Sequence, residues 1–238
     1  MEKVIILKDV VKIYTVGTIK VYGLRGVNLE VDRGGFMAIM GPSGSGKTTL
    51  LNIIGLLDRP TSGKILIDGI DVTRLSSAEV AKIRNQKIGF VFQFFNLINR
   101  LSVLENIEMP LIARGIPKSK RVEIVKEALL KVGGELSWLY KRPTQLSGGQ
   151  QQRVAIARAI VGDPEIILAD EPTGNLDRSS ARVVIQTFME LNKGGKSIVV
   201  VTHDPEVANC TNRIYIIRDG VMAGVRESNK KECILYTA

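Results

Sequence analysis

Gly41-Pro-Ser-Gly-Ser-Gly-Lys-Thr-Thr49 is the stretch that decides how the rest of the chain is read. The apolar run Phe36-Met-Ala-Ile-Met40 feeds into it and Leu50-Leu-Asn-Ile-Ile54 carries on from it. A strand therefore meets a glycine-rich turn that opens a helix, which is the context the pattern G-x-x-x-x-G-K-[ST] requires. Gly41, Gly44 and Gly46 allow consecutive N–H groups to curl around an anion at the positive end of that helix, with Ser43, Ser45 and Thr49 completing the loop. Lys47 is placed to reach the β- and γ-phosphates of a nucleotide, and the Thr48 hydroxyl to hold Mg²⁺. The stretch is a phosphate cradle; by itself it names neither a reaction nor a purpose.

The 238 residues, 45 % of them hydrophobic, suit one large α/β domain with an ample core. Thirty-three Lys and Arg against twenty-four Asp and Glu leave a net charge of +9, which raises nucleic acid or an anionic membrane surface as partners. The charges are scattered, and the densest cluster, Lys118-Ser-Lys-Arg121, reads as a solvated helix start. Nucleic acid is therefore not expected. Cys210 and Cys233 have no metal-ligand spacing and are expected as reduced thiols without visible chemistry. No apolar run approaches the ~20 residues that cross a bilayer, and the first nine residues lack a signal-peptide layout, so the chain is expected to be soluble or peripheral.

Val- and Ile-rich segments at 3–14 and 27–32, with Lys64-Ile-Leu-Ile-Asp68, predict an antiparallel layer beside the cradle. Tyr14 ends the first of them, where its ring serves either as a stacking face for adenine or as a half-exposed strand tyrosine. Ser76-Ser-Ala-Glu79 and Ser102-Val-Leu-Glu105 match the reciprocal helix cap S-x-x-E. Between them Lys87-Ile-Gly-Phe-Val-Phe92 reads as a buried strand ending at Gln93. Helical spacing from Lys118 to Val132, stopped by Gly133-Gly134, makes residues 81 to 145 a mainly helical insert. Beyond residue 150 a helix to about Ile160, a strand at 165–169, a helix at 181–192 and a strand at 197–201 alternate, implying right-handed crossovers and a mostly parallel sheet. Arg213 to Arg218 and Val221 to Val225 predict a closing hairpin across Asp219-Gly220. The tail from Glu227 carries no functional signal.

Ile166-Ile-Leu-Ala-Asp170-Glu171 is an apolar strand ending in two carboxylates. Asp170 is suited to fix Mg²⁺ and Glu171 to polarise a water that attacks the γ-phosphate; the alternative is an ordinary acidic loop. Gln93 offers an amide to Mg²⁺ or the water, or is a solvated loop residue. His203, the single histidine, follows Val199-Val-Val201 and Thr202, where a strand's carboxyl end would meet the γ-phosphate. Leu146-Ser-Gly-Gly-Gln150 precedes the helix Gln151-Gln-Arg-Val-Ala-Ile-Ala-Arg158 and makes a second amide nest from Ser147, Gly148, Gly149 and Gln150. A chain with one complete cradle gives the second nest to a partner's nucleotide, and a two-fold dimer then has two sites, each built from both copies.

In the order and separation of these motifs the chain resembles the ATP-binding cassette family across nearly its whole length, as a single nucleotide-binding domain. Walker A lies at 41–49, the Q-loop at Gln93, the signature at 146–150, Walker B at 166–171, the D-loop at Gly174-Asn-Leu-Asp177 and the H-loop at His203. The resemblance implies a P-loop NTPase core at about 1–92 and 160–226, a helical subdomain at about 93–159 that carries the signature, and a short tail at 227–238. It also implies Tyr14 under adenine, Ser147 and Gly149 on the other subunit's γ-phosphate, Asp177 linking the two sites, and Gln93 near a groove that receives a membrane permease. Gly55-Leu-Leu-Asp-Arg-Pro-Thr-Ser-Gly63, Phe95-Asn-Leu-Ile98, Glu105-Asn-Ile-Glu-Met-Pro110 and Asp170-Glu-Pro-Thr-Gly-Asn-Leu-Asp177 are most similar to the lipoprotein-release and macrolide-efflux branch. Gly35, where a glutamate is common, and Phe94, where a polar residue is frequent, depart from the pattern. The expected function is an ATPase subunit that closes as a homodimer around two Mg²⁺-ATP on the cytoplasmic face of the cell membrane and drives a separate permease. A cell-division or mechanotransmission ATPase is the alternative. DNA-repair relatives share the nucleotide halves but separate them with long heptad coiled coils, which this sequence lacks.

Overall fold

The computed structural model describes residues 2–237; Met1 and Ala238, which close the expected domain and tail, lie outside the described residues. The chain opens with β1 (Lys3–Val16), β2 (Ile19–Asp32), β3 (Phe36–Met40), α1 (Lys47–Ile54), β4 (Ser62–Ile67) and β5 (Ile70–Asp71). There follow α2 (Ser77–Lys87), β6 (Ile88–Phe92), α3 (Val103–Ala113), α4 (Lys118–Lys131) and α5 (Gly148–Ile160). The alternating part then runs β7 (Ile166–Asp170), α6 (Arg178–Lys193), β8 (Ser197–Val201), α7 (Pro205–Ala208), β9 (Arg213–Arg218) and β10 (Val221–Glu227).

The strands form two sheets, an antiparallel one in the order β2-β1-β4-β5 and a six-stranded one in the order β10-β9-β3-β8-β7-β6. In the second, β9, β3, β8, β7 and β6 run parallel and only the β9–β10 hairpin is antiparallel. Its central strands are near-continuous apolar runs, broken only by Ser197 at the start of β8 and Asp170 at the end of β7, because both faces are covered. Ile166, Leu168, Val199 and Val201 point to a core shared with α1 and the antiparallel sheet. Ile167, Ala169, Ile198 and Val200, one residue out of phase, point to the core made with α3, α4, α5 and α6. Burying one such Val or Ile is worth roughly 1.5–3 kcal/mol, so neither face is left to water. The helical segment after Gln93 thus shares one continuous core with the sheet, through Val103, Ile107 and Leu129 packed with Val91 and Ile167.

Both predicted caps form. Ser76 Oγ accepts from Glu79 N at 3.3 Å and Ser102 Oγ from Glu105 N at 3.2 Å, while each glutamate accepts from the serine's N–H in return. The helix that follows Ser76 nevertheless belongs with the first core, into which it sends Val80, so the insert does not begin at residue 81. The strand expected at 27–32 starts at Ile19; its first residues are exposed and show no in-out alternation, because only the pairing with β1 holds them extended.

The cysteines correct the sequence reading. Cys210 and Cys233 form a disulfide with Cα atoms 4.7 Å apart. The absence of metal-ligand spacing carried no information about this pairing, which arises because the tail folds back over α7. There Ile234 N donates to Glu206 O at 3.1 Å, Asn229 N to Asn209 Oδ1 at 3.0 Å, and Arg182 Nε to Ile234 O at 2.9 Å.

Candidate active site

Strand register brings the separate motifs to one edge. Ile39 lies beside Val201, Val201 beside Asp170 and Asp170 beside Phe92. The carboxyl ends of β3, β8, β7 and β6 therefore deliver Gly41, Thr202-His203, Asp170-Glu171 and Gln93 to the same rim, where open α/β sheets collect their ligands.

The cradle follows β3 directly. Gly44 (φ 76°) and Gly46 (φ 101°) hold left-handed backbone, and Gly46 caps α1 without any side chain bonding the free N–H groups of the first turn. Those donors are left for an anion. Lys47 Nζ lies across the loop, donating to Gly41 O at 2.8 Å and Pro42 O at 2.9 Å. The Ser45 hydroxyl is buried without a hydrogen-bond partner, whereas Ser43 and Thr48 are exposed. Gly220 N donates to Ser45 O at 2.9 Å and ties the loop to the β9–β10 turn. Beside it a Cβ on Gly23 would stand 2.9 Å from Tyr14 and 3.0 Å from Thr49, so these three residues touch. Tyr14 donates its hydroxyl to Asp58 Oδ2 at 3.2 Å, and the Lys12 ammonium stands 5.0 Å from the ring centroid over one face. Asp58, Lys12 and Gly23 were not legible as site residues, since their contacts cross from β1 and β2 to the end of α1.

Asp170 and Glu171 sit differently. Burial pushes the Asp170 carboxyl up from its ordinary range, the Glu171 charge adds to this, and Lys47 opposes it. A cation at this position would offset the cost of an ionised Asp170. Thr48, Asp170 and Gln93 offer a hydroxyl, a carboxylate and an amide oxygen, the hard donors that suit Mg²⁺. Glu171 takes left-handed backbone (φ 45°), with its N–H donating to Val201 O at 2.9 Å. That turn aims Oε1 at His203 Nδ1, 2.8 Å away, and lets Oε2 accept from Thr202 Oγ1 at 3.2 Å. The sequence had pointed to Glu171 and His203 separately; the structure makes them a pair and adds Thr202.

Gln93 reaches toward the D-loop: its Nε2 would lie 2.8 Å from a Cβ on Gly174, and Asn175 Nδ2 donates to Gln93 O at 3.1 Å. Asp177 caps α6, accepting from Ser180 N at 2.9 Å, and hydrogen bonds from Ser179 and Ser180 hold its carboxyl well below the usual range. Ser147 caps α5, accepting from Gln150 N at 3.3 Å, while Gln150 Oε1 accepts from Ser147 N at 2.9 Å. Ser147 is exposed; Gly149 is packed so closely on α6 that a Cβ there would stand 2.6 Å from Ser180 Oγ. The signature residues thus lean on their own chain, Gly149 on α6 and Gly148, whose Cβ would stand 3.6 Å from Leu176, on the D-loop, away from the Walker A loop. Gln152, buried on α5, donates its side-chain amide to Pro172 O at 2.5 Å, a link to the carboxylate turn that no motif announces.

A family model described as ABC transporter matches residues 24–174. The chain belongs to the ABC transporter family. An uncharacterized ABC transporter ATP-binding protein of Thermotoga maritima is 53 % identical over 225 residues, covering 94 % of this chain and 96 % of that one. The macrolide export ATP-binding/permease protein MacB of Syntrophobacter fumaroxidans is 52 % identical over 220 residues, of which this chain spans 30 % of the MacB length. Among solved structures, the dimeric post-hydrolysis state of the ATP-binding cassette MJ0796 bound to ADP and Pi has a TM-score of 0.88 at 47 % identity, covering 94 % of this chain and 99 % of that one. An α/β cassette with a mostly parallel sheet, an antiparallel layer and a helical segment bearing the signature is the architecture these ABC relatives share with it.

Proposed function

We propose that the chain is the ATP-binding and ATP-hydrolysing subunit of an ABC transporter, working as a homodimer around two Mg²⁺-ATP and driving a separate membrane permease. The observation that carries this reading is the Glu171–His203 pair on the same sheet edge as the phosphate cradle, with a second capped amide nest held on another helix. The amides of Gly44 to Thr49 and the Lys47 ammonium bind the phosphates of ATP, and Tyr14 presents its ring to adenine. Thr48, Asp170 and Gln93 would hold Mg²⁺, which when bound would neutralise charge on the phosphoryl oxygens. Glu171 accepts a proton from the attacking water, and His203 keeps that carboxylate oriented and faces the γ-phosphate. Ser147, Gly148, Gly149 and Gln150 close on the partner copy's nucleotide, and Asp177 joins the two sites.

The dimeric MJ0796 cassette, and the fusion of ATP-binding and permease parts in MacB, support a second copy and a permease as partners. A groove of about 950 Å³ between α2, β6, α3 and α5, bordered by Leu57, Phe90, Phe92 and Met109, offers a half-apolar seat for a permease segment. No helix among the described residues is long and apolar enough to cross a membrane, and the site we assign is the cytoplasmic face of the cell membrane, where ATP is supplied. The division into a core at about 1–92 and 160–226, a helical part at 93–159 and a tail from 227 belongs to the same reading. Phosphate release from ATP by the purified chain tests it. Mg²⁺-dependent turnover that rises more steeply than linearly with protein concentration is expected; ATP binding without any turnover would contradict it.

A further inference from the structure

The turn that follows β6 contains two consecutive non-glycine residues in left-handed backbone, Phe95 (φ 60°) and Asn96 (φ 49°). Such conformations are costly for residues with a Cβ and persist when the surroundings hold them. Besides the turn's own backbone bonds, Phe95 N to Phe92 O at 3.2 Å and Asn96 N to Phe94 O at 2.5 Å, one side chain grips both residues. Arg158, on α5 beneath the signature, donates Nη2 to Phe95 O at 2.8 Å and Nη1 to Asn96 O at 2.5 Å. Burial lowers the affinity of this guanidinium for its proton, so the two carbonyls are what compensate its lost hydration. Asn106 on α3 braces the next stretch, accepting from Ile98 N at 2.7 Å and donating to Ile98 O at 3.1 Å.

The corner so fixed touches both halves of the nucleotide chemistry. On one side it sets Gln93, two residues earlier, against Gly174. On the other, the Phe95 ring lies 3.8 Å from where a Cβ of Gly148 would be, in the signature motif. Arg158 and Asn96 also line the groove assigned to the permease segment.

We infer that Arg158 is a positioning residue for ATP hydrolysis: its planar fork holds the Phe95–Asn96 corner, and the corner keeps Gln93 and the signature motif in step. This rests on the ATPase reading above. Lys in its place offers a compact point charge on a flexible stem, without the planar fork that fixes both carbonyls in one geometry. A rival account is that Arg158 only stabilises the fold.

The test compares wild type, Arg158→Gln, Arg158→Lys and the double variant Arg158→Gln/Asn96→Gly in steady-state ATPase, with thermal unfolding and binding of a fluorescent ATP analogue read in parallel. Arg158→Gln is expected to lower kcat by about 10- to 100-fold, the range for displaced catalytic geometry, with analogue affinity unchanged. Arg158→Lys is expected between the two. Glycine at position 96 adopts its left-handed conformation unaided, leaving only Phe95 to be held, so the double variant should recover part of the lost kcat. Wild-type kcat in Arg158→Gln, or a loss that only tracks the unfolded fraction, overturns the inference while leaving the ATPase reading intact. Full folding of the double variant without recovered turnover overturns it as well. Absence of turnover in the wild type overturns both.

Discussion

His203 Nδ1 lies 2.8 Å from Glu171 Oε1, across 32 positions of sequence and two neighbouring parallel strands. The contact exists because Glu171 leaves β7 in left-handed backbone while its N–H stays anchored to Val201 O on β8. Glu171 is largely buried and His203 is 71 % exposed, so the carboxylate is held while the imidazole stays open to solvent at the rim that also carries the cradle. Removing the ring while leaving the carboxylate should therefore act on the chemical step. His203→Ala is expected to lower kcat by about 100-fold or more, the scale for losing a preorganised donor, with KM for ATP changed little. Steady-state kinetics decide this, and an equal loss confined to KM would assign His203 to ground-state binding instead.

Asp170 carries the opposite electrostatic burden. Its carboxyl is raised first by burial and then by Glu171, so the fold favours the protonated form. The sign follows: its contribution to stability is present below the ordinary carboxylate range and is lost as pH rises through the folded-state value. At neutral pH, without a cation, the ionised side chain costs stability. Asp170→Asn should then raise the Tm of the nucleotide-free protein at neutral pH, by roughly 2–4 °C for each kcal/mol relieved. The gain should shrink in acid, and Mg²⁺-supported ATP turnover should be abolished. Calorimetry at two pH values, with and without Mg²⁺-ATP, measures each part.

The Cys210–Cys233 bond closes a loop across 23 positions and straps the tail to the segment after His203. A loop of that size is worth about 3 kcal/mol in the chain-entropy account. Dithiothreitol should lower the wild-type Tm by several degrees and leave a Cys210→Ser/Cys233→Ser variant unmoved. Mass spectrometry after maleimide trapping under non-reducing conditions should find no free thiol in the wild type; two labelled thiols would place both cysteines back in the reduced state that their composition suggested.

What the sequence made legible was local. The cradle at 41–49, the caps at Ser76 and Ser102 and the alternation after residue 150 depend on neighbours a few positions apart, and each is where its pattern placed it. Contacts set by strand register and helix packing were not legible. Nothing near Arg158 in sequence announces that its guanidinium meets Phe95 and Asn96, 62 or 63 positions earlier. The same holds for Asp58 beneath Tyr14 and for the cysteine pair. Strand β2 was underestimated because its first residues lie exposed at the hairpin end and lack the buried alternation that marks a strand.

In the proposed mechanism each ATP site is shared between two copies, with Gly41 to Thr49 of one facing Ser147 to Gln150 of the other. Glu171→Gln keeps the shape of the side chain and removes its ability to take a proton, so bound ATP should persist and hold the pair closed. Size-exclusion chromatography with light scattering at saturating Mg²⁺-ATP is the direct measurement. A dimer retaining two ATP molecules is the predicted result; a Glu171→Gln chain that binds ATP fully yet elutes as a monomer would contradict the shared site.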